Sequence, residues 1–284
     1  MEHKPEISEE ERLKREYYDL VGDWNLPIVR MGGLSATAQL LEMCTIDEQS
    51  KVLEVGCGVG HTACEIGTKY GAHVVGIDVS ENMIANANKR AKDLGVQDLV
   101  EFRVEDVTDL PFEDESFDVV IMESLLNILG EQSVIERALL EIYRVTKRGA
   151  RVGANEVFVD ESAPSEVRAR LHELLMGELG PGANLARYSD EQFKQMFADT
   201  GLPVVKIMKN QAAGTRSQLV NDLIKVMGFM GFMRYSIRAT KDLLINSELR
   251  KATMKAAPAQ RIMERNKDTR HFFGYVLIVA EKPI

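Results

Sequence analysis

The run Glu54-Val55-Gly56-Cys57-Gly58-Val59-Gly60 constrains this 284-residue chain more than any other segment. It follows the apolar stretch Lys51 to Val55 and precedes a helical pattern from Thr62 to Tyr70. Glycines at alternate positions let the chain turn sharply and bring backbone N–H groups to a ligand with no Cβ in the way. Strand, glycine turn and helix in that order form the first half of a βαβ unit, whose helix N-terminus is a ligand-binding position. The alternation continues. His73 to Ile77 reads as a strand, Ser80 caps a helix that runs to about Leu94 and stops at Gly95, and Val100 to Val104 is a third strand. Phe117 to Met122, a helix from Glu131 to Thr146, and a strand from Arg151 to Phe158 follow. The spacing predicts a doubly wound α/β fold, a parallel sheet with helices on both faces.

The flanks are less regular. Residues 4–19 read as a polar helix capped by Ser8, followed by a loop with Gly22, Pro27 and Gly32-Gly33, and a helix over 35–44. Beyond the fifth strand, residues 165–179 are helical and the run Gly180 to Asn184 breaks the chain. Ser189 then caps a helix closed by Gly201, followed by a strand at 204–208. A helix-rich stretch over 215–265 precedes a final strand at 273–280. This predicts one domain: a helical cap (1–48), a ligand-binding core (50–158), helices and a strand completing the sheet (159–212), a helical insertion or lid (213–268) and a last strand (269–284).

Composition narrows the partners. Lys+Arg 35 against Asp+Glu 44 gives a net charge of −9, which argues against nucleic acid, whose phosphates demand a basic face. Cys44, Cys57 and Cys64 are few and odd in number and form no C-x-x-C pair, so neither a disulfide framework nor a zinc site is expected. A thiol-directed acceptor such as arsenite has only those three residues behind it. The charged N-terminus has no apolar signal core and no apolar run reaches 18 residues, which predicts a cytoplasmic protein.

Acids around the glycine loop sharpen its meaning. Asp78 lies at the tip of the second strand, where a carboxylate accepts hydrogen bonds from both hydroxyls of a ribose. Glu105-Asp106 follows the third strand, where an acid can accept from an exocyclic adenine amine, and the motif D-x-x-x-L-P-F-x-D-x-S-F-D-V-V runs from Asp106 to Val120. Taken singly, Gly56 and Gly58 are turn glycines, and Asp106 or Asp114 is a solvated turn residue. Their joint order is what carries the reading.

With these motifs, residues 50–156 resemble the S-adenosylmethionine (SAM)-binding core of the class I methyltransferases, close to the ubiquinone/menaquinone-biosynthesis and sterol-type subgroup. The resemblance implies a Rossmann-like seven-stranded sheet with an antiparallel last strand. It implies Glu54, Gly56, Cys57 and Gly58 around the methionine part of SAM, with Glu123, Ser124 and Leu125 nearby. It further implies Asp78 on the ribose, Val79 and Met83 beside the adenine, and Glu105, Asp106 and Val107 at its edge. The segment Tyr17 to Leu34 is similar to one that closes over SAM, which adds Tyr18 and Gly33. An NAD-dependent oxidoreductase is disfavoured by Glu54 and by the Asp106–Val120 motif.

Catalytic residues are less defined. His61 could face the methyl group or be an exposed residue at a helix start. Tyr18 could sit with Tyr17 over the sulfonium, or both could dock a helix. His73 and His271 read as structural. No carboxylate pair, triad or metal cluster is visible. Leu219 to Phe232 is dense in Met and Phe and suits an adaptable pocket, the insertion's own core, or a surface helix touching membrane through Lys225, Arg234, Arg238 and Lys241. Tyr17, Asn127, Phe229 and Phe232 are the acceptor candidates.

The resulting expectation is in-line methyl transfer from SAM to a small apolar acceptor, with no nucleic acid and no metal. The alternatives are a quinone- or lipid-directed C-methyltransferase at the membrane surface, touching it through residues 219–241, and a SAM-binding sensor or partner subunit without catalysis. The methylated atom and the oligomeric state stay open.

Overall fold

A computed structural model of the chain describes residues 21–27, 30–129, 131–175, 187–211 and 215–284. Its seven strands are β1 (Lys51–Val55), β2 (His73–Asp78), β3 (Val100–Val104), β4 (Phe117–Glu123), β5 (Thr146–Val159), β6 (Val204–Gln211) and β7 (Phe273–Glu281). They form one sheet in the order β3-β2-β1-β4-β5-β7-β6. The first five run parallel, and β7 lies antiparallel between β5 and β6. Fold class and antiparallel last strand are as expected from the sequence.

Alternation along each strand feeds two cores. Val52, Val119 and Ile121 pack with Leu40, Leu41, Ile66 and Ile84 on one face, from helices α1 (Gly33–Cys44), α2 (His61–Tyr70) and α3 (Glu81–Leu94). Leu53, Val55, Val120 and Met122 pack on the other face beneath the single turn α4 (Leu126–Leu129) and helix α5 (Gln132–Val145). Helix α5 buries Ile135, Ala138, Leu139, Ile142 and Val145, one helical stripe. After α6 (Ser165–Leu175), helix α7 (Asp190–Asp199) adds Phe193 and Phe197 to that core. Helices α8 (Thr215–Ile245) and α9 (Ser247–Gln260) fall between β6 and β7, with a bend at Gly228 inside α8.

Local signals set the boundaries. Ser80 Oγ accepts from Met83 N at 3.2 Å and Gly95 ends α3 in the left-handed region. Ser189 and Gln192 make a reciprocal capping box at α7. The fifth strand starts five residues before the expected Arg151: Thr146 pairs with Phe117 across β4 and its hydroxyl donates to Ile142 O at 2.6 Å, so helix passes directly into strand. The polar helix expected over 4–19, Tyr17, Tyr18 and the break at 180–184 lie outside the described residues. Among the described residues no helix is long and apolar enough to cross a membrane.

Strand order reverses between β1 and β4, and the crevice beyond their carboxyl ends is where open α/β sheets bind ligands. Gly56 follows β1 there and Ser124 follows β4.

Candidate functional site

The glycine loop is pinned to the neighbouring strand. Gly56 N and Cys57 N both donate to Ile77 O at 2.9 Å, and Gly58 N donates to Asp78 Oδ2 at 3.0 Å. Gly58 and Gly60 both have positive φ, 51° and 73°, but for different reasons. A Cβ on Gly60 would lie 2.5 Å from the Phe102 ring and 2.8 Å from Ala87 Cβ, so the turn is packed shut. A Cβ on Gly58 would meet nothing within 4 Å. The loop is therefore solid behind and open in front, and α2 begins directly at His61 with its N–H groups toward the opening. Opposite, Ser124 holds φ 57° with its N–H donating to Asn155 O at 2.7 Å, a strained residue at the end of β4. Leu125 Cδ1 lies 3.3 Å from the Cβ position of Gly56, across the crevice.

Below the loop lies a buried polar network. Glu123 pairs ionically with Arg30 Nε at 2.7 Å, whose N–H donates to Thr37 Oγ1, and accepts from Thr37 Oγ1 at 2.8 Å, Thr62 Oγ1 at 3.1 Å and Asn155 Nδ2 at 3.3 Å. Its carboxylate is consumed by the protein, so Glu123 supports the site rather than facing a ligand as expected. Two buried atoms in this network have no partner among the described residues: Arg30 Nη2 and Glu54 Oε2. Burial first, then the Glu123 charge, raises the Glu54 carboxyl to about 8, against the opposing pull of Arg30. One orphan atom is a guanidinium nitrogen, on an arginine already paired with Glu123 through Nε, and the other is a carboxyl oxygen. An α-amino acid offers a carboxylate to the first and an ammonium to the second, so this end of the crevice fits a zwitterionic amino-acid group. Arg30 was not found from sequence, because an isolated arginine in a loop with no motif carries no signal.

At the other end, Asp78 Oδ1 accepts from Ser80 N at 3.0 Å, so its carboxylate is held rigid between the glycine loop and α3. Val79 is half exposed at 51%, an apolar side chain uncovered at the crevice rim. Met83 is instead spent in a small cluster with Val21 and Val59, packed by Trp24 and Leu26. Glu105 is half-buried, with its N–H donating to Asp78 O. Asp106 is exposed, and its Oδ1 accepts from both Thr108 N and Thr108 Oγ1 at 2.8 Å, a self-contained turn. Val107 buries its side chain in the sheet core.

Several candidates land elsewhere. Asn127 is fully buried, donating to Glu156 Oε2 and Val157 O at 2.9 Å and accepting from Arg187 N, which leaves it structural rather than available to an acceptor. Glu156, unnoticed in the sequence, accepts from Leu125 N, Leu126 N and Asn127 and so orders the chain after β4. The His61 ring is half-buried rather than exposed, and burial with Arg30 and Arg90 nearby lowers it to about 3, too weakly basic for efficient proton abstraction. Cys57 is buried with its thiol pushed well up, as are Cys44 (to about 12) and Cys64 (to about 11), which makes them inert packing groups. Gly33 faces Asp222 of α8, whose Oδ2 accepts from Leu34 N at 3.0 Å where a Cβ would collide. Phe229 points outward at 64% exposure, whereas Phe232 is half-buried beside Tyr235.

Comparison with known proteins agrees with this geometry. A family model described as a methyltransferase domain matches residues 53–153. An O-methyltransferase of Aspergillus nomiae is 30% identical over 192 residues, covering 66% of this chain and 80% of that protein. The chain spans only 52% and 26% of the length of two other curated relatives. Among solved structures, a [4+2]-cyclase superposes with a TM-score of 0.70 at 21% identity over the whole of both chains. A Haemonchus contortus phosphoethanolamine N-methyltransferase solved with SAM gives 0.69 at 19% identity, covering 99% of this chain and 61% of that one.

Proposed function

Since the chain belongs to the class I SAM-dependent methyltransferases, we propose that it transfers the methyl group of SAM to a small apolar acceptor. The observation that carries this reading is the orphan pair Arg30 Nη2 and Glu54 Oε2 beside an open glycine loop. In the proposed arrangement Arg30 binds the amino-acid carboxylate and Glu54 the ammonium. Gly56 and Gly58 admit the chain between them, Asp78 accepts from the ribose hydroxyls, and Val79 covers one face of the adenine. When bound, SAM supplies an electrophilic methyl on a sulfonium centre, so the protein's task is alignment and exclusion of water, which can lower the barrier by about 7–11 kcal/mol. Burial with Arg30 and Arg90 nearby holds the His61 imidazole down at about 3, which argues against His61 as the base. The apolar acceptor is argued from Phe232, Met227 and Tyr235, half-buried on α8. This is compatible with the quinone- and sterol-type subgroup.

A second reading, SAM binding without methyl transfer, is favoured by the likeness to a [4+2]-cyclase, since one fold hosts unrelated chemistries. Isothermal titration of the whole chain with SAM, S-adenosylhomocysteine and NAD separates these from the start. SAM and its product should bind and NAD should not, and Arg30→Met should weaken SAM about ten- to hundredfold, as expected for a lost hydrogen bond to a charged group. Binding of NAD alone, or of nothing by folded protein, removes the proposal. SAM binding with no transfer of labelled methyl to any of a panel of apolar acceptors supports the second reading.

A further inference from the structure

Beyond Gly228, α8 continues from Phe229 to Ile245, about 25 Å of helix. Its inner face is spoken for. Trp24 Nε1 donates to Asp242 Oδ2 at 2.8 Å, and the Tyr235 ring stands 6.1 Å from that of Trp24. The outer face is not. Met230, Met233, Ile237 and Leu244 recur at spacings of three, four and seven, which places them on one stripe, and all are exposed: 64%, 39%, 65% and 72%. Arg234 and Lys241, also exposed, run along one edge of the same stripe, with Arg238 beside them turned to Asp23, whose backbone O accepts from its Nη1 at 2.6 Å. No Asp or Glu occurs between Asp222 and Asp242, and both of those acids turn inward to Leu34 N and Trp24.

This face is opposite in charge to its protein. Between Phe229 and Ile245 Arg234, Arg238 and Lys241 stand against Asp242 alone, and over the whole insertion from Thr215 to Arg261 nine Lys and Arg stand against three Asp and Glu, in a chain whose net charge is −9. Apolar side chains bordered by cations, on a helix too polar to span a bilayer, are what an anionic lipid–water interface binds: the stripe enters the acyl boundary and the edge meets the headgroups. A second copy of this chain fits less well. Face-to-face pairing would bring Arg234 and Lys241 against their own kind.

We propose that the outer face of α8, from Phe229 to Ile245, is a docking surface for anionic membranes, laying the insertion against the bilayer. The proposal goes beyond methyl transfer and stands on exposure and charge alone, whether or not that reading holds.

The test is flotation of the whole chain with phosphatidylcholine vesicles, with and without phosphatidylserine. The protein should float with the anionic vesicles, stay behind with the neutral ones, and be released as salt rises. Met230→Asp with Ile237→Asp, and separately Arg234→Glu with Lys241→Glu, should each weaken binding by more than about tenfold with unchanged circular dichroism. Lys89→Glu, on exposed α3, should leave binding as it was. Failure of the unaltered protein to bind anionic vesicles overturns the proposal, as does binding indifferent to both pairs of substitutions. A dimer in sedimentation velocity that Met230→Asp with Ile237→Asp dissolves would assign the face to a second copy instead.

Discussion

Glu54 lies next to the last residue of a parallel strand, and burial there, with Glu123 close by, raises its carboxyl to about 8. An ammonium brought against Oε2 favours the ionised form and lowers that value, so ligand binding releases a proton. The sign follows directly. Affinity for SAM should rise as pH increases toward 8, by at most about tenfold per pH unit, and level off once the empty site is ionised. Titration calorimetry in buffers of different ionisation enthalpy reads the released proton, and Glu54→Gln should abolish both the release and the slope. A pH-independent affinity with no proton exchange would mean the ammonium lies elsewhere. The sequence could point to Glu54, Asp78 and Gly58 as candidates because each is tied to a strand end by local pattern. It could not point to Arg30, which arrives from a loop without a motif, nor to the protein partners that hold Glu123. Whether that carboxylate faces a ligand depends on Thr37, Thr62 and Asn155, all distant along the chain.

At the scale of elements, the turn from β1 into α2 separates what the fold needs from what the ligand needs. Gly60→Ala would force a methyl into Phe102 and Ala87 at a positive φ, and should cost about 2–4 kcal/mol in denaturant unfolding from overpacking and strain together. Gly58→Ala projects its methyl into open space and should cost only about 1 kcal/mol of backbone strain, while weakening SAM binding far more than Gly60→Ala does among molecules that remain folded. Equal effects of the two on affinity would show that the space before Gly58 is not where the ligand lies. Elements of this kind were legible because caps and periodicity are local: Ser80, Gly95 and Ser189 each mark a terminus that the structure keeps. The early start of β5 was not legible, since residues 146–150 are polar and join the strand only through pairing with β4 and contacts to the last strand, such as Gly149 N to Lys282 O.

Across the whole molecule, the insertion and the cap meet through hydrogen bonds between residues distant in sequence. Residues 21–27 are gripped on one side by α3, through Asn82 to Asp23 at 2.9 Å and Asn86 to Gly22 O at 3.1 Å. On the other side α8 holds them through Asp242 to Trp24 and Arg238 to Asp23 O, and it holds Leu34 N through Asp222. The sequence showed both segments but not their meeting, because contacts spanning some two hundred residues leave no periodic trace. Arg30 lies between Trp24 and Leu34 in the chain, so its reach to the crevice depends on α8 as much as on its own loop. Each cap–insertion hydrogen bond contributes about 0.5–1.5 kcal/mol. Asp222→Ala combined with Asp242→Ala should therefore loosen the cap and weaken SAM by up to about tenfold, though neither residue lies at the proposed ligand contacts. If the loss passes through Arg30, the same pair of substitutions made in Arg30→Met protein should cost little more, and titrations at the four corners of that cycle give the coupling. Fully additive losses would show instead that the insertion acts on the site by another route, and that Arg30 is positioned by Glu123 alone.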